Sequence, residues 1–367
     1  MKLGIDAKAL VGRRTGIGNW TAQLLEELPK HIPDLEVFAY VPSSHTPFVP
    51  GEIAKISVRQ SPAFPLMSGF FWLKLRAAEL VRKDGLDVFW AARTLHPNGI
   101  EKHAPVVSTV YDLNSVLYPE TMSLANLIAY KLWFKADLRK SDRIVAISRG
   151  TSARLENWLG RGADFIVPPG VAEHYAPQPP TVIDATLKRY GLNEPYLLFV
   201  GTLEPRKNLS ALLDALEIIN AARAKPITLA IIGQRGWRNK ELFKRLDSGI
   251  PFVTELGFVP GADLPALYSG AASLMMPSLY EGYGMPAAEA AACGTWVVAT
   301  DIPELREAAG GSGIYIEPSV QGIVTGIERA LSETSPPVPF NPVSWRDSAA
   351  RLAEALQEAA GSRQHKK

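Results

Sequence analysis

At 367 residues the chain is long enough for two domains of ordinary size, each with its own core. Apolar residues are 47% and charged residues 21%, a soluble globular profile that excludes a disordered or fibrous chain. The 39 Lys and Arg against 37 Asp and Glu leave a net charge of +2, which excludes the strongly basic field of a nucleic-acid binder.

The first strand is expected at 2–6, within Met1-Lys2-Leu3-Gly4-Ile5-Asp6, an opening charged too soon for a signal peptide. A glycine cluster follows, Arg13-Arg14-Thr15-Gly16-Ile17-Gly18-Asn19-Trp20, before a helix expected over 21–28. It reads either as a tight turn or as a loop whose amides approach an anion at a helix start. As a dinucleotide fingerprint it fails. Thr21 stands at the third glycine position, and Val41 is followed by Pro42 where an acid is required.

Further strands are expected at 36–41, 87–90, 106–110 and 143–147. Between them lies an aromatic and basic patch, Phe70-Phe71-Trp72-Leu73-Lys74-Leu75-Arg76. The most apolar run, 66–73, stops at Lys74 and falls short of the ~20 residues that span a bilayer. A helix carries Lys131, Lys135 and Arg139 at i, i+4 and i+8, with Lys140 adjacent and Tyr130, Trp133 and Phe134 beside them. Such stripes suit an anionic membrane surface, or else an aromatic side facing the core with a solvated charged side.

The prolines of Val167-Pro168-Pro169-Gly170 and of 176–180 mark a break, followed by a short helical patch at 186–190. Strands then follow at 196–200, 228–232, 252–256, 273–276 and 296–300. Several are continuous apolar runs, as expected for parallel strands covered on both faces. Strand and helix alternating in this way predict two doubly wound α/β domains, 1–170 and 171–342. A final segment, 343–367, carries a helix from 345 to about 360, expected to pack back toward the first domain. Cys293, the one cysteine, excludes an internal disulfide and suits a reducing compartment. Within Ala290-Ala291-Ala292-Cys293-Gly294 it reads as core filler. The expected location is cytoplasmic, and peripheral on the membrane's inner face if the stripes touch it. Two open sheets facing one another would bind ligands at the carboxyl ends of their strands.

Two clusters of the second domain carry chemistry. In Gly201-Thr202-Leu203-Glu204-Pro205-Arg206-Lys207-Asn208 two cations sit at a helix start, where they gain nothing unless an anion binds. They read either as a solvated charged loop or as a pyrophosphate clamp, with Arg206 bidentate and Lys207 a point charge. In Ser278-Leu279-Tyr280-Glu281-Gly282-Tyr283-Gly284-Met285-Pro286, Pro286 suits the first helical position, placing Glu281 in the loop and Glu289 in the first two turns. Glu289 alone is explained as a partner of the helix dipole. Two carboxylates around a Gly-x-Gly loop are better explained as acceptors from vicinal hydroxyls.

The order Gly201, Glu204-Pro205-Arg206-Lys207-Asn208, Ile231-Ile232-Gly233, Gly257-Phe258-Val259 and Glu281-Gly282-Tyr283-Gly284 with Glu289 resembles glycosyltransferase family 4, retaining enzymes of GT-B fold. The resemblance implies that Arg206 and Lys207 neutralise the diphosphate of a nucleotide-sugar donor. It places Glu289 on the ribose, Glu281 with the amides of Gly282, Tyr283, Gly284 and Met285 on the transferred sugar, and Val259 and Gly233 beside the nucleotide. Gly16 and Gly18 would approach phosphates and acceptor, and the departing phosphate would help deprotonate the acceptor, so no protein nucleophile is required. Two positions depart from the pattern. Thr202 stands where relatives often show Gly-Arg, and Tyr111-Asp112 where they commonly show His-Asp. Asp112 is carried over as a catalytic residue and Tyr111 as a donor contact, which suggests a sugar altered at its outer edge, such as a 6-deoxyhexose, or else a structural tyrosine.

No cofactor or metal is expected, since the sequence has no Asp-x-Asp and the two cations can do a magnesium ion's work. The expected donor is GDP-mannose or a GDP-deoxyhexose ahead of a UDP-sugar. The acceptor is a saccharide or lipid-linked saccharide of cell-surface polysaccharide, and nucleic acid is not a partner. Two other readings stand beside this: a non-hydrolysing sugar-nucleotide epimerase, for which the motifs hold no paired His/Glu acid and base, and an inactive nucleotide-sugar-binding protein.

Overall fold

The computed structural model describes residues 1–12, 16–43, 45, 47, 55–62, 69–122, 124–236, 239–337 and 340–364. Arg13, Arg14 and Thr15 of the first glycine cluster lie outside them. The chain divides into two compact units, Met1–Gly170 with Val343–Lys367, and Val171–Pro342.

The first unit is built on seven parallel strands: β1 (Lys2–Asp6), β2 (Glu36–Pro42), β3 (Lys55–Ser61), β4 (Val88–Ala91), β5 (Val106–Val110), β6 (Arg143–Ala146) and β7 (Phe165–Ile166). Their order is β3-β2-β1-β4-β5-β6-β7. The chain runs outward from β1 to β3, then returns to start β4 on the other side of β1. That reversal makes a switch point between β1 and β4, where an open α/β sheet leaves a crevice at its carboxyl edge. The inner strand β4 is a continuous apolar run, and all five residues of β5, Ser108 and Thr109 included, are buried. Strands β3 and β7 escaped the sequence reading for opposite reasons. β3 is a polar edge strand bonded by Lys55 to Glu36 and Arg59 to Asp84. β7 has two residues and no periodicity to read.

The helix expected over 21–28 is Gly16–Glu27, and it takes Gly16 and Gly18 into its first turn instead of leaving them in a loop. Its buried Trp20, Thr21, Leu24 and Leu25 keep helical spacing, which carries the helix upstream of Thr21. The helix Trp345–Gln364 belongs to this unit: Ser348 donates to the Pro168 carbonyl at 2.6 Å, and a Cβ on Gly170 would stand 2.3 Å from the Trp345 nitrogen.

The aromatic and basic stripes separate into two layers. Phe70, Trp72 and Phe134 are buried, and Phe71 meets Trp133 edge-on at 4.9 Å. Lys74, expected on a surface patch, is 1% exposed and lies in a π-helical turn, Leu73–Ala77. Its ammonium donates to both Asp137 oxygens at 2.6 Å and to the His96 carbonyl at 2.9 Å. Burial pushes the ammonium below its usual value and Asp137 pulls it back. What stays exposed on the helix Leu124–Lys140 is an aliphatic row, Leu124, Ile128 and Leu132, beside Lys131, Lys135 and Arg139. Among the described residues no helix is long and apolar enough to cross a membrane.

The second unit has six parallel strands: β8 (Tyr196–Val200), β9 (Thr228–Ile232), β10 (Val253–Gly257), β11 (Ser273–Met276), β12 (Val297–Thr300) and β13 (Gly313–Ile316). Their order, β10-β9-β8-β11-β12-β13, puts the switch point between β8 and β11. A short edge strand after Gly310-Gly311-Ser312, β13 also went unpredicted. The break at 176–180 holds, and its last proline opens a helix, Pro180–Tyr190, upstream of the patch expected at 186–190, because proline at a first helical position lacks only an N–H that would be unpaired anyway. Cys293 is buried and free.

Gly233, at the end of β9, has φ +147°, and a Cβ there would lie 1.9 Å from the Gly201 carbonyl oxygen. Backbone cannot yield as a side chain does, so the two strand ends need a glycine. Gly233→Ala is expected to cost roughly 2–3 kcal/mol, measured by urea denaturation; an unchanged midpoint would contradict this close approach.

Candidate active site

The loops that leave β8 and β11 flank the switch point of the second unit. After β8 the chain passes through a turn, Pro205–Lys207, and Asn208 at φ +57° starts the helix Leu209–Ala221. Asparagine tolerates this left-handed conformation, and its amide donates to the Pro318 carbonyl at 2.9 Å. After β11 the loop ends at Gly284, φ +103°, where a Cβ would lie 2.6 Å from Leu305 Cδ2, and the helix Met285–Ala292 begins. Met285, not Pro286, is its first residue. The Leu279 amide donates to the Arg206 carbonyl at 2.8 Å and ties the loops together.

Side chains from both loops then meet. Arg206 donates through Nη1 to Glu281 Oε2 at 3.1 Å and to the Tyr280 carbonyl, and through Nη2 to Glu204 Oε1 at 2.6 Å. Lys207 Nζ donates to Glu281 Oε1 at 2.5 Å. The cations are only 13% and 12% exposed, which overturns the reading of a solvated charged loop. The expectation that they lack an anion of their own is corrected too: Glu204 and Glu281 supply it from within the chain. Burial would push the Glu281 carboxyl up, but Lys207 and Arg206, with hydrogen bonds from Lys207 and Ser278, outweigh it and hold the group at about 2. Glu281 is therefore a carboxylate at any neutral pH.

Glu289 lies on the helix that follows, half-buried, and its Oε2 accepts from the Tyr268 hydroxyl at 2.8 Å. Burial pushes its carboxyl up; hydrogen bonds from Tyr268 and Tyr175 pull it part of the way back, to about 7. The bland explanation, a dipole partner at a helix start, does not account for two tyrosines on one acid. Of the remaining predicted positions, Thr202 is exposed beside the clamp loop, while Val259 and Tyr283 are buried. Gly282, Gly284 and Met285 form the turn into the helix. Gly233 has the structural explanation given above.

Gly16, Gly18, Tyr111 and Asp112 belong to the first unit. Asp112 Oδ1 accepts from the Asn114 amide at 2.9 Å, a local turn. The Tyr111 hydroxyl donates to the Ala92 carbonyl at 2.7 Å, its ring stands edge-on to Trp20 at 5.2 Å, and burial pushes the hydroxyl's pKa up. Its proton is spent inside the fold, so toward a ligand it can accept but not donate. Sequence reasoning missed Glu204, Tyr268 and Tyr175. Only Glu204 left a signal, a carboxylate two residues before Arg206 in an extended segment.

Among the described residues no three His, Cys, Asp or Glu side chains are grouped so as to hold a metal ion. Two family models match the chain: Glycosyltransferase Family 4 over residues 14–174, and Glycosyl transferases group 1 over 194–333. The chain is 30% identical over 269 residues to O-antigen chain mannosyltransferase B of Escherichia coli, covering 71% of this chain and 68% of that protein. This chain belongs to glycosyltransferase family 4. As a family 4 glycosyltransferase it has the GT-B fold of two parallel-sheet α/β domains, shared with two solved structures. Sucrose-phosphate synthase of Thermosynechococcus elongatus superposes with a TM-score of 0.67 at 19% identity, over 99% of this chain and 94% of that one. Anabaena Alr3699/HepE in complex with UDP-glucose superposes at 0.64 and 18%, over 99% of each chain.

Proposed function

We propose that this glycosyltransferase moves mannose from GDP-mannose, with retention, to a saccharide or lipid-linked saccharide of cell-surface polysaccharide. The observation that carries the reading is the joint hold of Arg206 and Lys207 on Glu281 at the switch point of the second unit. A diphosphate entering there meets two nearly desolvated cations, where charge stabilisation is strong. The donor's anomeric C–O bond breaks and its electron pair goes to the diphosphate, which Arg206 and Lys207 neutralise. The acceptor oxygen bonds to the anomeric carbon on the same face, and its proton passes to the departing phosphate oxygen. Glu281 accepts from hydroxyls of the transferred sugar and Glu289 from those of the ribose. Neutralisation is assigned to the two side chains rather than to a divalent ion, so transfer should persist in excess chelator.

Mannose is favoured over a 6-deoxyhexose by the relation to the O-antigen mannosyltransferase and by Tyr111, whose hydroxyl proton is engaged with Ala92. The experiment is a screen of GDP- and UDP-sugars for slow donor hydrolysis and for transfer. Turnover confined to UDP-sugars would overturn the donor assignment, and interconversion of the sugar without its release would revive an epimerase. The aliphatic row Leu124, Ile128 and Leu132 beside Lys131, Lys135 and Arg139 supports docking on an anionic inner leaflet. Co-sedimentation with anionic vesicles should be lost on replacing those three cations; equal binding to neutral vesicles would sink the idea.

Glu289 sets a pH dependence. Its carboxyl must be ionised to accept from two ribose hydroxyls, so nucleoside diphosphate affinity should rise between pH 6 and 8 as the group titrates near about 7. Glu289→Gln should flatten the rise, measured by titration calorimetry. Stability runs the other way: the protonated form favours the fold, so this contribution is complete below about 4.5 and lost as pH rises through about 7.

A further inference from the structure

The first unit has its own switch point, between β1 and β4, and a cation follows each of those strands there: Lys8 in the turn Ala7–Leu10 after β1, and Arg93 after β4. Their surroundings differ from those of Arg206 and Lys207. Arg93 is held in place through one edge only: Nε donates to Asp6 Oδ2 at 2.7 Å, and the guanidinium stacks 4.6 Å from the Phe70 ring. Nη2 is buried and has no hydrogen-bond partner among the described residues. Asp6, 0% exposed, has its other oxygen occupied by the Lys8 backbone amide at 3.2 Å. The Lys8 ammonium makes no hydrogen bond or ion pair among the described residues. Burial and the neighbouring Arg93 push it below its usual value, with Asp6 opposing them.

Both cations converge on the same small space. A Cβ built on Gly69 would lie 3.7 Å from Lys8 Cε and 3.9 Å from Arg93 Nη1. At that point a Cβ would be in ordinary contact with both side chains, so only a glycine leaves room beside a guanidinium edge whose Nη1 and Nη2 make no hydrogen bond among the described residues and the stem of an ammonium that makes none either. One donor fork with one point charge is the pairing that suits a phosphoryl group, bidentate on the first and Coulombic on the second. An orphaned buried donor is costly unless something fills the place, and an oxyanion would satisfy it.

We infer that Lys8, Arg93 and the opening at Gly69 form a second oxyanion site, which binds a phosphoryl group carried by the acceptor. The inference rests on the transferase reading and narrows it: the acceptor is a phosphorylated saccharide, free or lipid-linked, and the preceding reaction must leave a phosphate on it. The donor diphosphate is taken by Arg206 and Lys207 in the other unit, so the two sites should respond to different variants.

The test is a titration of the full chain, saturated with GDP, by mannose 1-phosphate, with methyl mannoside as the phosphate-free control. Lys8→Gln should weaken mannose 1-phosphate by roughly tenfold to a hundredfold, the worth of a charged hydrogen bond, and leave GDP affinity unchanged. Gly69→Val, which retains both cations and the Asp6–Arg93 pair, should weaken it by blocking the space, with the melting temperature showing that the fold survives. Unchanged mannose 1-phosphate affinity in both variants overturns the inference, as does a loss of GDP affinity in Lys8→Gln, which would assign the pair to the donor. Arg206→Gln reads the other site separately. If it leaves GDP affinity intact, the clamp assignment fails whatever Lys8 does.

Discussion

Arg206→Ala is expected to lower kcat for transfer by roughly 10²–10³-fold, the loss seen when one buried donor is removed from a charge-stabilising site. The reason is position more than charge count. Arg206 bridges two loops, bonding Glu204 on its own loop and both Tyr280 and Glu281 on the other, so the donors stand fixed before a diphosphate arrives. Lys207→Ala should act similarly, and the double variant should fall short of the product of the two effects, because both cations share Glu281. Arg206→Lys should recover only part of the rate, since an ammonium cannot span Glu204 and Glu281 in one planar fork. In the wild type the depressed Glu281 carboxyl favours the fold above about 4.5, and that contribution is lost as pH falls through about 2. With both cations gone, only the Ser278 hydrogen bond still opposes burial at Glu281, and the acid destabilisation through this group should shrink. A rate within threefold of wild type for Arg206→Ala in a steady-state transfer assay would contradict the clamp.

The second large effect concerns stability. Asp137→Ala is expected to destabilise the first unit by about 3–5 kcal/mol, because Lys74 then keeps a buried ammonium with only the His96 carbonyl to bond. For a domain of this size the melting transition should fall by roughly 10 °C. Removing both charges as Lys74→Met with Asp137→Leu should restore much of the loss, since a well-packed apolar pair avoids the desolvation cost. Equal melting temperatures for Asp137→Ala and the wild type would show that the pair is not the tie between the π-helical turn and the helix Leu124–Lys140.

Much of this fold could be read from the chain because β4 and β8 are spelled as unbroken apolar runs and β5 and β11 as runs broken only by serine or threonine. Edge strand β3 is polar and carries no such run, and β13, four residues that follow a glycine-rich turn, is too short to stand out. The membrane stripe was only half legible. Periodicity set Tyr130, Trp133 and Phe134 to one side of a helix, yet nothing in the spacing says that Lys74 turns inward to Asp137, since that pairing spans 63 residues of sequence. At the site, Arg206, Lys207, Glu281 and Glu289 stood out by residue type and spacing. The ion pairs of Arg206 and Lys207 with Glu281 did not, because the contact of the two loops follows from β8 and β11 being neighbours across a switch point. Tyr268 supports Glu289 from a helix with no motif of its own.

The most direct measurement is a crystal structure of the enzyme with an intact nucleoside diphosphate sugar. The account predicts diphosphate oxygens within hydrogen-bond distance of Arg206 and Lys207, the ribose on Glu289 and the transferred sugar on Glu281. A diphosphate bound with Arg206 and Lys207 still closed on Glu281, and no phosphate oxygen touching either cation, would contradict it.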